Sequence, residues 1–144
     1  MSILSSTNTG KKFFSPITKE ELQKIIKLEI EKNGNTCSLN HIDVSSITDM
    51  SFLFYKSKFN GDISEWNVSS VRDMSYMFEY SEYTGRNGDI SKWNIGKVED
   101  MYKMFSHSLF DSDLSKWTIN KKCSVISMFY ESACRMKYKP FRLL

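Results

Sequence analysis

The stretch Trp66-Asn67-Val68-Ser69-Ser70-Val71-Arg72-Asp73-Met74-Ser75-Tyr76-Met77-Phe78 decides how the whole chain is read, because close copies stand on either side of it. Aligned on the final Phe, four copies begin at Ile42, Trp66, Trp93 and Trp117 and end at Phe54, Phe78, Phe105 and Phe129. Successive starts are 24, 27 and 24 residues apart. Repetition at such a period marks stacked supersecondary units, none of which buries its apolar face alone.

Within a copy the pattern changes period. Trp66 and Val68 alternate with polar neighbours, as do Trp93 with Ile95 and Trp117 with Ile119, which predicts a short half-buried strand. Ser45, Ser69, Gly96 and Asn120 follow, residues favoured at N-caps and turns. Val71, Met74 and Phe78, with Met77 beside them, then take helical i, i+3, i+7 spacing. Asp49, Asp73 and Asp100 fall in the first turn of that predicted helix, where the macrodipole favours an anion. Ser57, Ser81, Ser108 and Ser132 are placed to end it by bonding to the backbone of the return loop. The expected unit is strand, turn, short helix, loop, and the extra residues between the second and third copies lengthen the loop at 79–86.

Outward from the repeats, residues 1–17 read as a flexible lead whose Phe13 and Phe14 could tack it to the body. Pro16, the capping pair Thr18 and Glu21, and Leu22, Ile25, Ile26 and Ile30 on one face predict an amphipathic helix from Thr18 that stops near Asn33-Gly34. This segment, 18–35, is placed to cap the first repeat. The repeats span 36–132, and 133–144 form a basic C-terminal cap or tail, all within one domain. The fold class expected is α/β: a short leucine-rich-repeat-like solenoid of about four strand-turn-helix repeats.

The consensus Trp-Asn-Val-Ser-x-Val-x-Asp-Met-Ser-x-Met-Phe followed by Asn-Gly-Asp-Ile-Ser resembles the BspA-like short leucine-rich repeat of bacterial surface proteins, a module of roughly 24 to 26 residues. The resemblance covers about residues 36–132. It implies adhesion or protein binding, or intracellular inhibition as in some small members, and brings no catalytic residues. The fourth copy departs from it, with Lys122, Ser124 and Val125 where Val, Asp and Met would stand, as a terminal capping repeat requires.

Composition narrows the classes further. With 40% apolar and 26% charged residues the chain is of ordinary globular type. Cys37, Cys123 and Cys134 form neither a CxxC pair nor an even set, so neither a disulfide framework nor a zinc site is signalled. No run approaches the roughly 18 apolar residues of a membrane span, and Met1 to Lys12 lack a signal-peptide core. As written the chain reads as cytoplasmic, or as a cell-surface protein if it is a mature fragment. Residues 117–144 carry six basic groups and one acidic group, a net of +5, against eight basic and twelve acidic over 41–116. That asymmetry points the C-terminus toward an acidic partner.

Several groups of residues invite chemistry. Trp66, Trp93 and Trp117 could form a stacking platform for bases or sugars, but their alternation with Val68 and its equivalents reads more simply as repeated core. Asp62, Asp89 and Asp113, in Asn-Gly-Asp-like settings, lack the spacing of a calcium loop and read as turn formers, like Asp49, Asp73 and Asp100. His41 and His107 have no nucleophile at a motif spacing. Cys123 and Cys134, near Lys121, Lys122 and Arg135, could have lowered pKa values, against the simpler reading of buried thiols. No catalytic, metal-binding or cofactor-binding residue is assigned, and no cofactor or small-molecule substrate is expected.

Specificity in a repeat scaffold rests on positions where the copies differ. On the strand face these are His41, Glu65, Lys92 and Lys116, with Asp43, Asn67, Asn94 and Thr118. The inserted loop adds Tyr80, Tyr83 and Arg86, types enriched at hot spots, although either Tyr could instead cover the core. In the tail Arg135, Lys137, Lys139 and Arg142 are candidate contacts for an acidic partner. The expected function is therefore a non-enzymatic protein-binding module using the solenoid face and the 79–86 loop. The alternatives are a small intracellular, phage-encoded inhibitor of a nucleic-acid-handling complex such as a bacterial defence nuclease, and a bacterial surface-adhesion fragment. Nucleic acid bound through the basic C-terminus is a further, less favoured partner.

Overall fold

A computed structural model describes residues 14–141. The chain opens on α1, Lys19–Asn33, for the reasons its sequence suggests. Thr18 is the N-cap, its hydroxyl accepting the Glu21 N–H at 3.1 Å, while the Glu21 carboxylate accepts the Ile17 N–H at 2.9 Å. Gly34 ends the helix at φ 88°, its N–H bonded to the Ile30 carbonyl. Leu22, Ile25 and Ile26 are buried against the repeats, each contributing on the order of 1.5–3 kcal/mol of transfer free energy. Lys19 fixes the near end of the helix by reaching Asp49 at 3.2 Å and Ser51 at 3.0 Å. Glu29 holds His41 at 3.1 Å. Of the lead, residues 1–13 lie outside the described residues, while Phe14 bridges in parallel to Ile42 and accepts the Asp43 N–H at 2.8 Å.

The four copies do stack, but not as strand-turn-helix units. Among the described residues α1 is the only α-helix, and strand-type pairing between copies is confined to isolated parallel bridges, such as Asp49 with Asp73, Asp73 with Asp100 and Asp100 with Ser124. The expected α/β solenoid of strands and helices is thus replaced by a stack of irregular coils without a sheet. The reason lies in the backbone donors. An α-helix over 71–78 would need each N–H to bond four residues back. Instead the N–H groups of Met74, Tyr76, Phe78 and Tyr80 cross to the carbonyls of Asp100, Tyr102, Met104 and Ser106 in the next coil, at 2.8–3.0 Å. Those of Met77, Glu79 and Ser81 bond three residues back, to Met74, Tyr76 and Phe78.

The result is a chain of linked turns, at 51–56, 75–80, 102–107 and 126–131. Two residues in each have positive φ: Phe52 and Lys56, Tyr76 and Tyr80, Lys103 and His107, Ser127 and Glu131, all between 51° and 60°. For non-glycine residues that conformation costs roughly 1–2 kcal/mol apiece, and it rules out a continuous right-handed helix. The apolar residues still face inward, with Met74, Met77 and Phe78 fully buried, so the spacing that suggested a helix is satisfied by turns.

The strand-like segment shows the expected alternation, Trp66 and Val68 buried and Asn67 exposed. Here too a side chain intervenes, since Asn67 accepts the Ser69 N–H at 3.1 Å and bends the chain into a turn. Asn94 does the same for Gly96 at 3.1 Å and Asn120 for Lys122 at 3.0 Å. In the fourth copy this asparagine turn sits two residues later and the buried residue after it one later, so Cys123, 2% exposed, fills the place of Val71 while Lys122 is exposed.

The core is built of columns running through the stack. Phe54, Phe78, Phe105 and Phe129 stack face to face with centroids 5.4, 5.4 and 5.3 Å apart. The indole N–H groups of Trp66, Trp93 and Trp117 each reach a carbonyl of the preceding coil, those of Leu39, Ile63 and Ile90. The aspartates are turn formers: Asp49, Asp73 and Asp100 accept N–H bonds from the residue two ahead, as do Asp62, Asp89 and Asp113. Ser57, Ser108 and Ser132 bond to backbone as expected, whereas the Ser81 hydroxyl is buried without a partner among the described residues. No helix among the described residues is long and apolar enough to cross a membrane.

Candidate protein interface

The linked turns place side chains of alternate character on opposite sides of the backbone, apolar residues inward and the positive-φ residues outward. Stacked coils align the outward ones into rows. In one row Phe52 stacks on Tyr76 at 4.4 Å and 11°, and Tyr76 meets Tyr102 edge-on at 5.3 Å. In a second, Tyr55 meets Tyr80 at 6.4 Å, Tyr80 stacks on His107 at 4.5 Å, and His107 meets Tyr130 at 5.4 Å. Lys56 holds its ammonium 5.3 Å from the Tyr55 ring and 6.0 Å from that of Tyr80, and Lys103 lies 5.4 Å from Tyr102. Phe52, Tyr80 and Tyr130 remain 44%, 48% and 55% exposed. A face that combines adjacent aromatic rings with cationic heads has the composition of a binding surface.

His107 is gripped from both sides, Nδ1 by the Ser106 hydroxyl and Nε2 by the Glu131 carboxylate, each at 2.9 Å. Serine, histidine and acid in sequence suggest a nucleophilic triad, but Ser106 is fully buried, so a substrate has no access to its hydroxyl. The arrangement orients the ring that stacks on Tyr80.

A separate cleft of about 550 Å³ is lined by Arg86, Lys116, Arg135, Asp89, Asp113 and Tyr138, among others. Its wall is organised by Asp111, whose side chain is 9% exposed. One carboxylate oxygen receives Arg86 at 3.2 Å and Arg135 Nε at 3.1 Å, and the other receives the Arg135 backbone N–H at 3.1 Å. Burial by itself would raise the pKa of Asp111. The Arg135 N–H and the two guanidinium groups outweigh it and hold the carboxyl below the ordinary range.

The residues singled out from the sequence are divided by the fold. Arg86, Lys116 and Arg135 come together at the cleft, whereas Tyr80 belongs to the aromatic rows. Lys116 also borders a smaller depression with Asn94 and Thr118. Glu65, Asn67, Lys92 and Asn94 are exposed, although Asn67 and Asn94 are held in turns and the Glu65 N–H is bonded to Asn40. Tyr83 is fully buried between Phe78, Phe59 and Phe110, so it serves the core and offers no contact to a partner. In the tail Lys137 lies 5.3 Å from the Tyr138 ring and Lys139 5.4 Å from that of Phe129, and Arg142 lies outside the described residues.

Cys123 and Cys134 are 2% and 5% exposed. Burial pushes the Cys134 thiol up to about 11, with Asp111 and Asp113 adding to the effect against Lys139, so its pKa is raised and not lowered. Sequence reasoning missed Phe52, Tyr55, Tyr76, Tyr102 and Tyr130. Their signal was available as aromatic residues at positions that vary between copies, a criterion applied only to the strand face and the 79–86 loop.

These features define a repeat protein of stacked coils with aromatic and cationic rows on its surface. The chain belongs to the family described as "Mycoplasma protein of unknown function, DUF285", whose model matches residues 12–139. No curated protein and no solved structure matches it.

Proposed function

We propose that the chain is a non-enzymatic protein-binding module whose main contact surface is the pair of aromatic rows. The observation that carries this reading is the stacking of Phe52 on Tyr76 and of Tyr80 on His107, with Lys56 and Lys103 beside them, on an exposed face. Rings already ordered by their neighbours lose little side-chain entropy on binding, and aromatic and cationic groups dominate interface hot spots. The repeat pattern supports kinship with BspA-like repeats at the level of sequence, and protein binding is the activity such kinship suggests.

The test is comparative affinity capture from the source cell, using the wild-type chain and a Phe52→Ser, Tyr76→Ser, Tyr80→Ser variant with the same circular dichroism and melting temperature. Retention of a defined protein should fall by about tenfold or more, the loss of roughly 1.4 kcal/mol or more. Equal retention by both would move the interface off this face.

A further inference from the structure

The ladder between coils has a direction. Met50, Phe52, Phe54 and Lys56 donate their N–H groups to carbonyls of the second coil, and Met101, Lys103, Phe105 and His107 donate theirs to Ser124, Ile126, Met128 and Tyr130 of the last. The corresponding donors of the last coil are Val125, Ser127, Phe129 and Glu131, and no acceptor among the described residues takes their N–H groups. Ser127 and Glu131 already have φ of 54° and 51°, so the last coil follows the path of the paired ones. A row of alternate, outward donors on a preformed backbone is an open pairing edge.

Residues 133–138 pair with the loop at 108–114 and make no hydrogen bond to these four donors. Ala133 donates to the Ser108 carbonyl, Arg135 to Asp111, and Tyr138 accepts from Leu114. Near the edge the tail places the Lys139 ammonium 5.4 Å from the Phe129 ring. A second copy of the chain cannot continue the stack with its own first coil, since α1 lies there, pinned through Lys19 to Asp49 and Ser51. Charge selects the remaining occupant. Residues 117–141 hold Lys121, Lys122, Lys137 and Lys139, besides Arg135 paired to Asp111, against Glu131 alone, and Ser124 stands where the other coils have Asp.

We infer that the open edge of the last coil binds an acidic segment of another protein that folds as a further coil of the same turn-run type. It would supply carbonyls to Val125, Ser127, Phe129 and Glu131 and an apolar side chain to extend the phenylalanine column beyond Phe129. The inference rests on the protein-binding reading but uses a surface distinct from the aromatic rows.

The probe is a labelled synthetic peptide with the sequence of residues 70–81 carrying Arg72→Glu, added to the full chain. Binding should be saturable, stronger than that of a scrambled peptide, and weakened by salt. Amide exchange at Val125, Ser127, Phe129 and Glu131, fast in the free chain, should slow by about tenfold or more, while Met101, Lys103, Phe105 and His107 stay as they were. A Lys121→Glu, Lys122→Glu variant and a Val125→Pro variant, each checked for unchanged melting, should both weaken binding, while Phe52→Ser, Tyr76→Ser, Tyr80→Ser should not. The inference is overturned if the four amides are already protected in the free chain, or if the scrambled peptide binds equally well. Concentration-dependent self-association that protects the same amides also overturns it, since the occupant would then be a second copy. Loss of peptide binding only in the aromatic variant overturns the edge and leaves the protein-binding reading standing.

Discussion

Trp66 donates its indole N–H to the carbonyl of Leu39 in the preceding coil at 2.9 Å, and both residues are buried. The bond adds to the backbone tie between the same coils, where the Leu39 N–H reaches the Asp62 carbonyl at 2.9 Å. Trp66→Phe keeps most of the apolar area and removes one of two hydrogen bonds to that carbonyl of Leu39, which still accepts the Ile42 N–H at 3.1 Å. Urea denaturation should show a loss of about 0.5–1.5 kcal/mol, the net contribution of one hydrogen bond.

Tyr83 gives the opposite expectation. Its ring is fully enclosed, and its hydroxyl finds no hydrogen-bond partner among the described residues. Burial, with Asp62 and Asp89 nearby, pushes its pKa far above that of a free phenol. Tyr83→Phe removes the unsatisfied group and keeps the stacking on Phe78, so the melting temperature should rise, by an amount corresponding to about 1 kcal/mol.

Gly61 and Gly34 separate two roles of glycine. A Cβ on Gly61 would collide with the Cys37 carbonyl and come within 2.8 Å of the Phe59 ring, at the junction where Asp62 donates to Cys37. On Gly34, at φ 88°, a Cβ would meet nothing within 4 Å. Gly34→Ala should cost about 1–3 kcal/mol from the backbone alone, since φ 88° with ψ 170° is a region that essentially only glycine occupies. Gly61→Ala should cost more, because two coils must move apart, and the two urea midpoints measured side by side decide it.

Cys134 sets a pH dependence. Its folded pKa, about 11, lies above the ordinary 9.0, so the folded state favours the neutral thiol. The contribution is complete below pH 9 and is lost as pH rises from about 9 to about 11. The difference in urea midpoint between the wild-type chain and Cys134→Ala should therefore shrink over that window. In the folded protein at neutral pH the thiol should resist Ellman's reagent until denaturant is added.

Much of this fold was legible because its determinants are periodic. The four copies, the inward Trp, Val, Met and Phe, α1 with Thr18 and Gly34 at its ends, and the turn-forming aspartates all follow from residue type and spacing. The helices were misread because Val71, Met74 and Phe78 satisfy a helical period whether the intervening N–H groups bond within the coil or across to the next. The choice falls to pairing between residues 24 or 27 apart, which no local window contains. The candidate site suffered from the same cause. With a helix assumed up to Phe78 and a loop after it, Tyr80 reads as a loop residue and Tyr76 is not singled out, whereas stacking brings Phe52 onto Tyr76 and Tyr80 onto His107.

The phenylalanine column repeats at 5.3–5.4 Å between ring centroids, whereas the outward rings of the same coils meet at 4.4–6.4 Å. The eight positive-φ sites are occupied by Phe, Tyr, Lys, Ser, Lys, Tyr, His and Glu, so the backbone path there is imposed by neighbouring coils and tolerates many side chains. The outer surface is thereby a set of aligned positions with interchangeable occupants. A change of residue on it alters what is displayed and leaves the backbone path in place, so partner preference can drift while the scaffold stays fixed.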